Sequence, residues 1–294
     1  MKLSILYRGP LASCNYGCAY CPFAKRKDDR AALARDRAAW QRFVAWLAAR
    51  PASDRIGVLV TPWGEALIRR WYRDGFATLS RLPQITRVAA QTNLSGPLDW
   101  LAHVDRERVA LWCTYHPAWT SPAAFLAQCE QLDRAGIRYS VGVVGRHEHL
   151  AAARALRDAL PPQVYLWINA DKSLAYSAAD LAAWRAIDPL FELTTRRWPT
   201  LGKPCGAGER AVTVDGDGTL RRCHFIATPL GNIYEAGWER ALAPRPCSNI
   251  DCHCHIGYVH LDELELARVF ADGLLERIPV PEARTGGLRL PVLA

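Results

Sequence analysis

Short apolar or β-branched runs alternate six times with segments of helical period over the first 190 residues, and that alternation leaves few architectures open. The runs lie at residues 2–7, 56–61, 87–92, 109–115, 139–144 and 164–168. Their length and β-branched content predict strands. Helical periods fill the gaps at 31–50, 65–80, 97–104, 121–135, 148–160 and 178–187. Strands separated by helices need right-handed crossovers, which predicts an α/β fold with a parallel sheet, open and doubly wound or curled as a complete or partial barrel. In either form chemistry collects beyond the carboxyl ends of the strands.

Past Leu201 the texture changes to Gly, Pro and Cys, so a boundary is expected near residues 196–203. This divides the chain into a barrel core at 1–198, a Cys-rich extension at 199–278 and a tail at 279–294. Residues 212–214 and 219–222 flank Gly216-Asp217-Gly218 and predict a β-hairpin. A further helix is expected over 261–275.

The chain has 294 residues and ten cysteines. A chain of this length buries ~75% of its extended surface and needs no disulfide staples. The cysteines cluster at Cys14, Cys18 and Cys21 and at Cys205, Cys223, Cys247, Cys252 and Cys254, a pattern that favours metal or cofactor ligation in a reducing compartment. Cys113 and Cys129 fall in apolar periods and read as core. Leu11-Ala12-Ser13-Cys14 has the form of a lipoprotein cleavage site, but the apolar run ahead of it is shorter than the ~7 to 15 residues of a signal h-region. No run approaches the ~18 to 20 residues of a membrane span. A cytoplasmic protein with no membrane partner is expected. The net charge of +8 is not gathered into a basic run interleaved with aromatics, which argues against a nucleic-acid partner.

Three thiols at spacings of four and three, with Gly17 between them, follow the first predicted strand. Structural zinc wants four ligands, whereas three thiolates on a 4Fe-4S cube leave one iron open; both metals fit the residue types. The C-x3-C-x2-C pattern with Tyr20 before the third Cys, placed after the first strand of a βα repeat, resembles the radical S-adenosylmethionine (radical SAM) superfamily. Trp63-Gly64-Glu65-Ala66 after the second strand is similar to that family's GGEP element, with Trp and Ala at its first and last positions. The resemblance covers roughly residues 1–195 and implies a partial (β/α)6 barrel of TIM type.

It further implies an enzyme that reductively cleaves S-adenosylmethionine to methionine and a 5′-deoxyadenosyl radical, which abstracts hydrogen from a peptide or small-molecule substrate. A reductant such as flavodoxin or ferredoxin would be its electron donor. By resemblance Cys14, Cys18 and Cys21 ligate the cluster, Tyr20 lies along the adenine, and the backbone around Gly64 and Glu65 receives the methionine ammonium. The strand ends point Asn93, Arg146 and Asn169 at the same mouth, Arg146 for the cofactor carboxylate and Asn169 for ribose or adenine.

The second group resembles a short SPASM/twitch extension with one auxiliary iron-sulfur cluster, having five Cys where the full pattern has seven. Cys205, Cys223 and Cys254 lead as ligands, with Cys252 ahead of Cys247 for the fourth place. His253, His255 and His260 nearby keep a zinc site open. A glycyl-radical activating enzyme and a non-catalytic zinc- or iron-binding scaffold are the alternative functions.

Overall fold

The computed structural model describes residues 1–23 and 26–284. Its six leading strands are β1 (Lys2–Arg8), β2 (Arg55–Val60), β3 (Ile85–Thr92), β4 (Val109–Thr114), β5 (Arg138–Val144) and β6 (Leu166–Asn169), parallel and adjacent in chain order. Between them run α1 (Arg30–Ala48), α2 (Arg70–Ser80), α3 (Pro122–Ala135) and α4 (Leu150–Ala159); α5 (Ala178–Arg185) and α6 (Phe191–Thr195) follow β6. This is the expected α/β architecture of a partial barrel, with each helix returning the chain to the same end of the sheet. Local signals set the helix ends. Asp29 and Ser121 cap α1 and α3 through side-chain acceptors, Ser177 and Asp180 form a capping box on α5, and Gly136 closes α3 in the left-handed region. The period near residue 65 enters α2 only at Arg70, because Glu65 to Arg69 form a loop built around the Glu65 carboxylate.

The Cys-rich segment does not stand apart from this sheet. After the short β7 (Trp198–Pro199) come β8 (Ala211–Asp215), β9 (Thr219–Arg221) and β10 (Pro229–Asn232). The expected hairpin is β8 with β9, antiparallel. Strand β8 also pairs in parallel with β1, Ser4 opposite Ala211 through Arg8 opposite Asp215, so one nine-stranded sheet runs β10-β9-β8-β1-β2-β3-β4-β5-β6.

Strand alternation sorts the core into two bodies. Val58, Val60, Val88, Val109, Leu111, Val141 and Ile168 face the helices. Leu59, Ala89, Ala110, Trp112, Tyr165 and Trp167 face the other way, onto Tyr258, Leu261, Leu264, Val269 and Phe270 of the carboxyl-terminal segment. That segment carries β11 (Asp251–Cys252), α7 (His255–Tyr258), α8 (Leu266–Phe270) and α9 (Pro281–Arg284).

The helix expected over 261–275 is reduced to α8 between two 3-10 turns, with Glu265 at φ 47° and Ala271 at φ 44°. Leu261, Leu264, Leu266, Val269 and Phe270 are all buried, so apolar contacts on every side replace the single wet-and-dry division of an amphipathic helix. Of the expected tail, residues 285–294 lie outside the described residues. Among the described residues no helix is long and apolar enough to cross a membrane.

Candidate active site at the barrel mouth

The loop after β1 carries Cys14, Cys18 and Cys21 to the carboxyl end of the parallel strands. Two acidic side chains from the chain that follows hold its approach. Asp36, buried in α1, accepts from the Leu11 N–H at 3.1 Å, the Tyr72 hydroxyl at 2.8 Å and the Trp71 indole at 2.9 Å. Asp28 accepts from the Ala12 and Ser13 N–H groups and the Ser13 hydroxyl at 2.8, 2.8 and 2.7 Å. Burial acts to raise the Asp28 pKa, but those Ser13 and Ala12 donors outweigh it and hold the carboxyl below its usual value. On the other side the Gly64 N–H donates to Leu11 O and the Glu65 N–H to Ser13 O. A Cβ at Gly64 would lie 2.1 Å from Ser13 O, so only glycine allows this approach.

The three thiols line one cleft of about 420 Å³ with Trp63, Gly64, Glu65, Thr92, Asn93, Thr114 and His116, within the usual size of a small-molecule site. Glu65 is fully used: its carboxylate accepts from the Leu67 N–H at 3.0 Å, the Thr92 hydroxyl at 2.9 Å and the Asn93 N–H at 2.6 Å. Burial still raises its pKa. It therefore ties the β2 loop to the end of β3 and has no acceptor capacity directed at a ligand. The Asn93 amide nitrogen donates to Asn15 at 3.0 Å and faces the Cys14 sulfur at 3.7 Å, which also accepts from the Tyr16 N–H at 3.3 Å. Burial raises the Cys14 pKa, and the Tyr16 N–H on its sulfur partly offsets that rise. The Tyr20 hydroxyl meets His116 Nδ1 at 2.7 Å, and the Cys18 sulfur lies 3.4 Å from the same atom. Burial lowers the His116 pKa to about 4, which favours the neutral ring.

Not every predicted ligand contact reaches this cleft. Arg146 is engaged by Glu148 at 2.6 Å and Asp171 at 2.7 Å, with its guanidinium 5.8 Å from the Tyr20 ring centre. Asn169 ends β6 and its carbonyl accepts from the Gly145 N–H. Neither lines the cleft, and Tyr20 stands behind His116. Asn15, His116, Asp28 and Asp36 complete the site, and sequence reading gave them no role or a lesser one. Only His116 had a positional signal, at the end of β4.

The second group surrounds a small cavity lined by Cys205, Cys223, Cys247 and Cys252, with Thr200, Arg222, Phe225 and Gly257. The hairpin brings Cys205 and Cys223 together as its sequence implied. The lining takes in Cys247, where the spacing favoured Cys254. Cys254 is half-buried and not part of that lining, and burial raises its pKa against the pull of Arg8, Arg277 and Lys172. Burial likewise pushes Cys223 up to about 11 and Cys252 to about 12.

Two buried arginines near these thiols form no ion pair among the described residues: Arg222 in the cavity lining, and Arg277 by Cys254, where its charge also acts on the buried Asp188 carboxylate. Arg222 is 5% exposed, donates to the carbonyls of Arg245 and Pro246, and leaves Nε without a partner. Arg277, 2% exposed, leaves Nε and Nη1 without partners and stacks on Trp167 with its charge 4.5 Å from the ring centre. His255 lies against Trp112, and burial lowers its pKa and that of His260. Among the described residues no three His, Cys, Asp or Glu side chains are drawn together as a single-ion site.

Together these features define an α/β partial barrel with a three-thiol cleft at its mouth and a second thiol group against its inner face. That fold is shared with solved structures that contain S-adenosylmethionine. SuiB of Streptococcus suis bound to S-adenosylmethionine superposes with a TM-score of 0.57 at 13% identity, over 82% of this chain and 66% of that one. The enzyme anSMEcpe with bound AdoMet gives 0.53 at 12% identity, over 82% and 80%. Its form with AdoMet and the Cp18Cys peptide gives 0.51 at 12% identity, over 82% of each chain. No family model matches the sequence, and no curated protein does.

Proposed function

We propose that this chain is a radical SAM enzyme with an auxiliary iron-sulfur centre. The observation that carries the reading is the convergence of Cys14, Cys18 and Cys21 on one cleft at the barrel mouth, in a fold whose solved neighbours hold AdoMet at 12% to 13% identity. Three thiols fit a 4Fe-4S cluster with one open iron, because each sulfur takes its own iron and the trio need not meet around a single ion. When bound, that cluster supplies the electron that cleaves S-adenosylmethionine and so yields the 5′-deoxyadenosyl radical.

The chain's own residues position and shield. Asp28, Asp36 and Gly64 fix the loop that presents the thiols. The Tyr16 N–H and the Asn93 amide place donors on the Cys14 sulfur. Glu65 acts as a positioning residue by fastening Asn93 beside the cleft, and the carbonyls around Trp63 are left for the methionine ammonium. Tyr20 reaches the cleft through His116, and Arg146 and Asn169 would come to the cofactor only by a change of side-chain position.

For the second group we propose Cys205, Cys223, Cys247 and Cys252 as ligands. Four thiolates on a 4Fe-4S cluster carry net negative charge, and the buried Arg222 guanidinium in the cavity lining, which forms no ion pair among the described residues, fits such a group. The substrate would be a peptide or small molecule, with a flavodoxin- or ferredoxin-type donor. The bound peptide in the anSMEcpe neighbour supports the former class.

Anaerobic reconstitution followed by metal and product analysis tests the reading. About eight irons per chain, no zinc, and 5′-deoxyadenosine formed with S-adenosylmethionine and dithionite are expected. Stoichiometric zinc without iron, or iron-loaded protein that leaves the cofactor intact, would refute it.

A further inference from the structure

Arg8 closes β1 within electrostatic reach of Cys223 and Cys254, yet no hydrogen bond ties it to either thiol group. It is 7% exposed, its Nη1 donates to Thr61 O at 2.9 Å, and its Nε has no partner. Its guanidinium lies 4.5 Å from the centre of the Trp63 ring and 5.6 Å from that of Phe23. No carboxylate among the described residues forms an ion pair with it. Asp215, its register partner on β8, is taken by Arg221 at 2.7 Å. A buried guanidinium without an anion is costly, and its planar fork suits a carboxylate or phosphate.

Arg8 also opens onto free space. With Arg35, Trp63, Asp215, Arg221 and Phe225 it lines a cleft of about 720 Å³. Trp63 belongs to this cleft and to the three-thiol cleft alike, so the two meet across one indole. Trp63 is 45% exposed and Phe225 38%, which leaves two aromatic faces beside an unpaired cation at the barrel mouth.

We propose that Arg8 anchors an anionic group of the substrate, a carboxylate or phosphate, while Trp63 and Phe225 receive the flat or apolar part next to it. Calling the ligand a substrate rests on the radical SAM reading; the anion site itself does not. A molecule held on Arg8 reaches past Trp63 toward the thiol cleft, which places its far end where hydrogen would be removed.

Saturation-transfer NMR on the intact chain tests this with phenylacetate, phenyl phosphate and neutral phenylacetamide. Both anions should receive saturation and the amide should not, and the stronger anion tells carboxylate from phosphate. Arg8→Met should weaken anion binding at least tenfold, about 1.4 kcal/mol, and Arg8→Lys should retain most of it. Equal binding of all three probes, or unchanged anion binding in Arg8→Met, overturns the proposal. Should the variants fail to fold, photolabelling of the unaltered chain with 4-azidophenylacetate decides. Adducts on peptides containing Arg8, Trp63 or Phe225 support the site, and adducts confined elsewhere reject it. Because no probe needs iron, the two readings fail separately. A charge preference in protein that never cleaves S-adenosylmethionine removes the enzyme and keeps the anion site; cleavage with no charge preference does the reverse.

Discussion

Around Cys14, Cys18 and Cys21 the carboxylates that shape the loop, Asp28, Asp36 and Glu65, each accept three N–H or O–H donors. Around Cys205, Cys223, Cys247 and Cys252 it is the guanidinium of Arg222 that lines the cavity, with its Nε–H left over, while Arg277 lies by Cys254. The first site has its carboxylates well supplied with donors and a roomy cleft in front of the sulfurs. The second is electrically incomplete, since buried positive charge without an anion is unfavourable. On the proposed reading, the difference separates a centre left open to a small molecule from one enclosed by protein.

The strongest way to break this contrast is to remove the sulfurs. Changing Cys14, Cys18 and Cys21 together to Ala should abolish 5′-deoxyadenosine formation and leave about half the iron, that of the second centre. Residual cleavage measured by product chromatography would reassign the first site. Cys223→Ala should likewise remove about half the iron, whereas Cys254→Ala should keep it all, because Cys254 is outside the cavity lining. Loss of iron in Cys254→Ala would restore the ligand set that the spacing suggested.

Gly64→Ala forces a Cβ to 2.1 Å from Ser13 O and should cost about 3 kcal/mol in chemical denaturation, more than an ordinary substitution. An unchanged midpoint would show that the loop has slack. Arg277→Met sharpens the electrical half of the comparison. Metal-free protein should gain about 2 kcal/mol, and the reconstituted form should lose that gain. A smaller effect concerns acid. The Asp28 pKa is held below its unfolded value of about 3.9, so its contribution is fully present above that pH and is lost as pH falls through the folded value. Protection of the Ala12 and Ser13 amides, taken relative to their intrinsic exchange at each pH, should hold from pH 7 to about 4.5 and fall only below about pH 4; earlier loss would remove Asp28 as the anchor.

The six strands and the first thiol loop were legible because both are local: period two over a few residues, and three sulfurs within one turn of chain. Asp36 was not, because it meets Leu11 from 25 residues away. The pairing of β8 with β1 joins residues some 200 apart and depends on an edge that local pattern cannot assign. The helix expected at 261–275 failed for the opposite reason. Its apolar content was read as one face, whereas the barrel's inner surface covers all of it. Strand-end position signalled His116, and the same rule would have picked out Arg8.

That union of β8 with β1 also sets an order of assembly. While the ribosome is still making residue 200, the first strand has a bare flank and the concave wall with Trp112 and Trp167 is uncovered. Only emergence of the last third of the polypeptide closes both. On the proposed reading, metal delivered to Cys14, Cys18 and Cys21 before synthesis ends would enter a shell whose floor is still missing, which favours loading after the chain is complete.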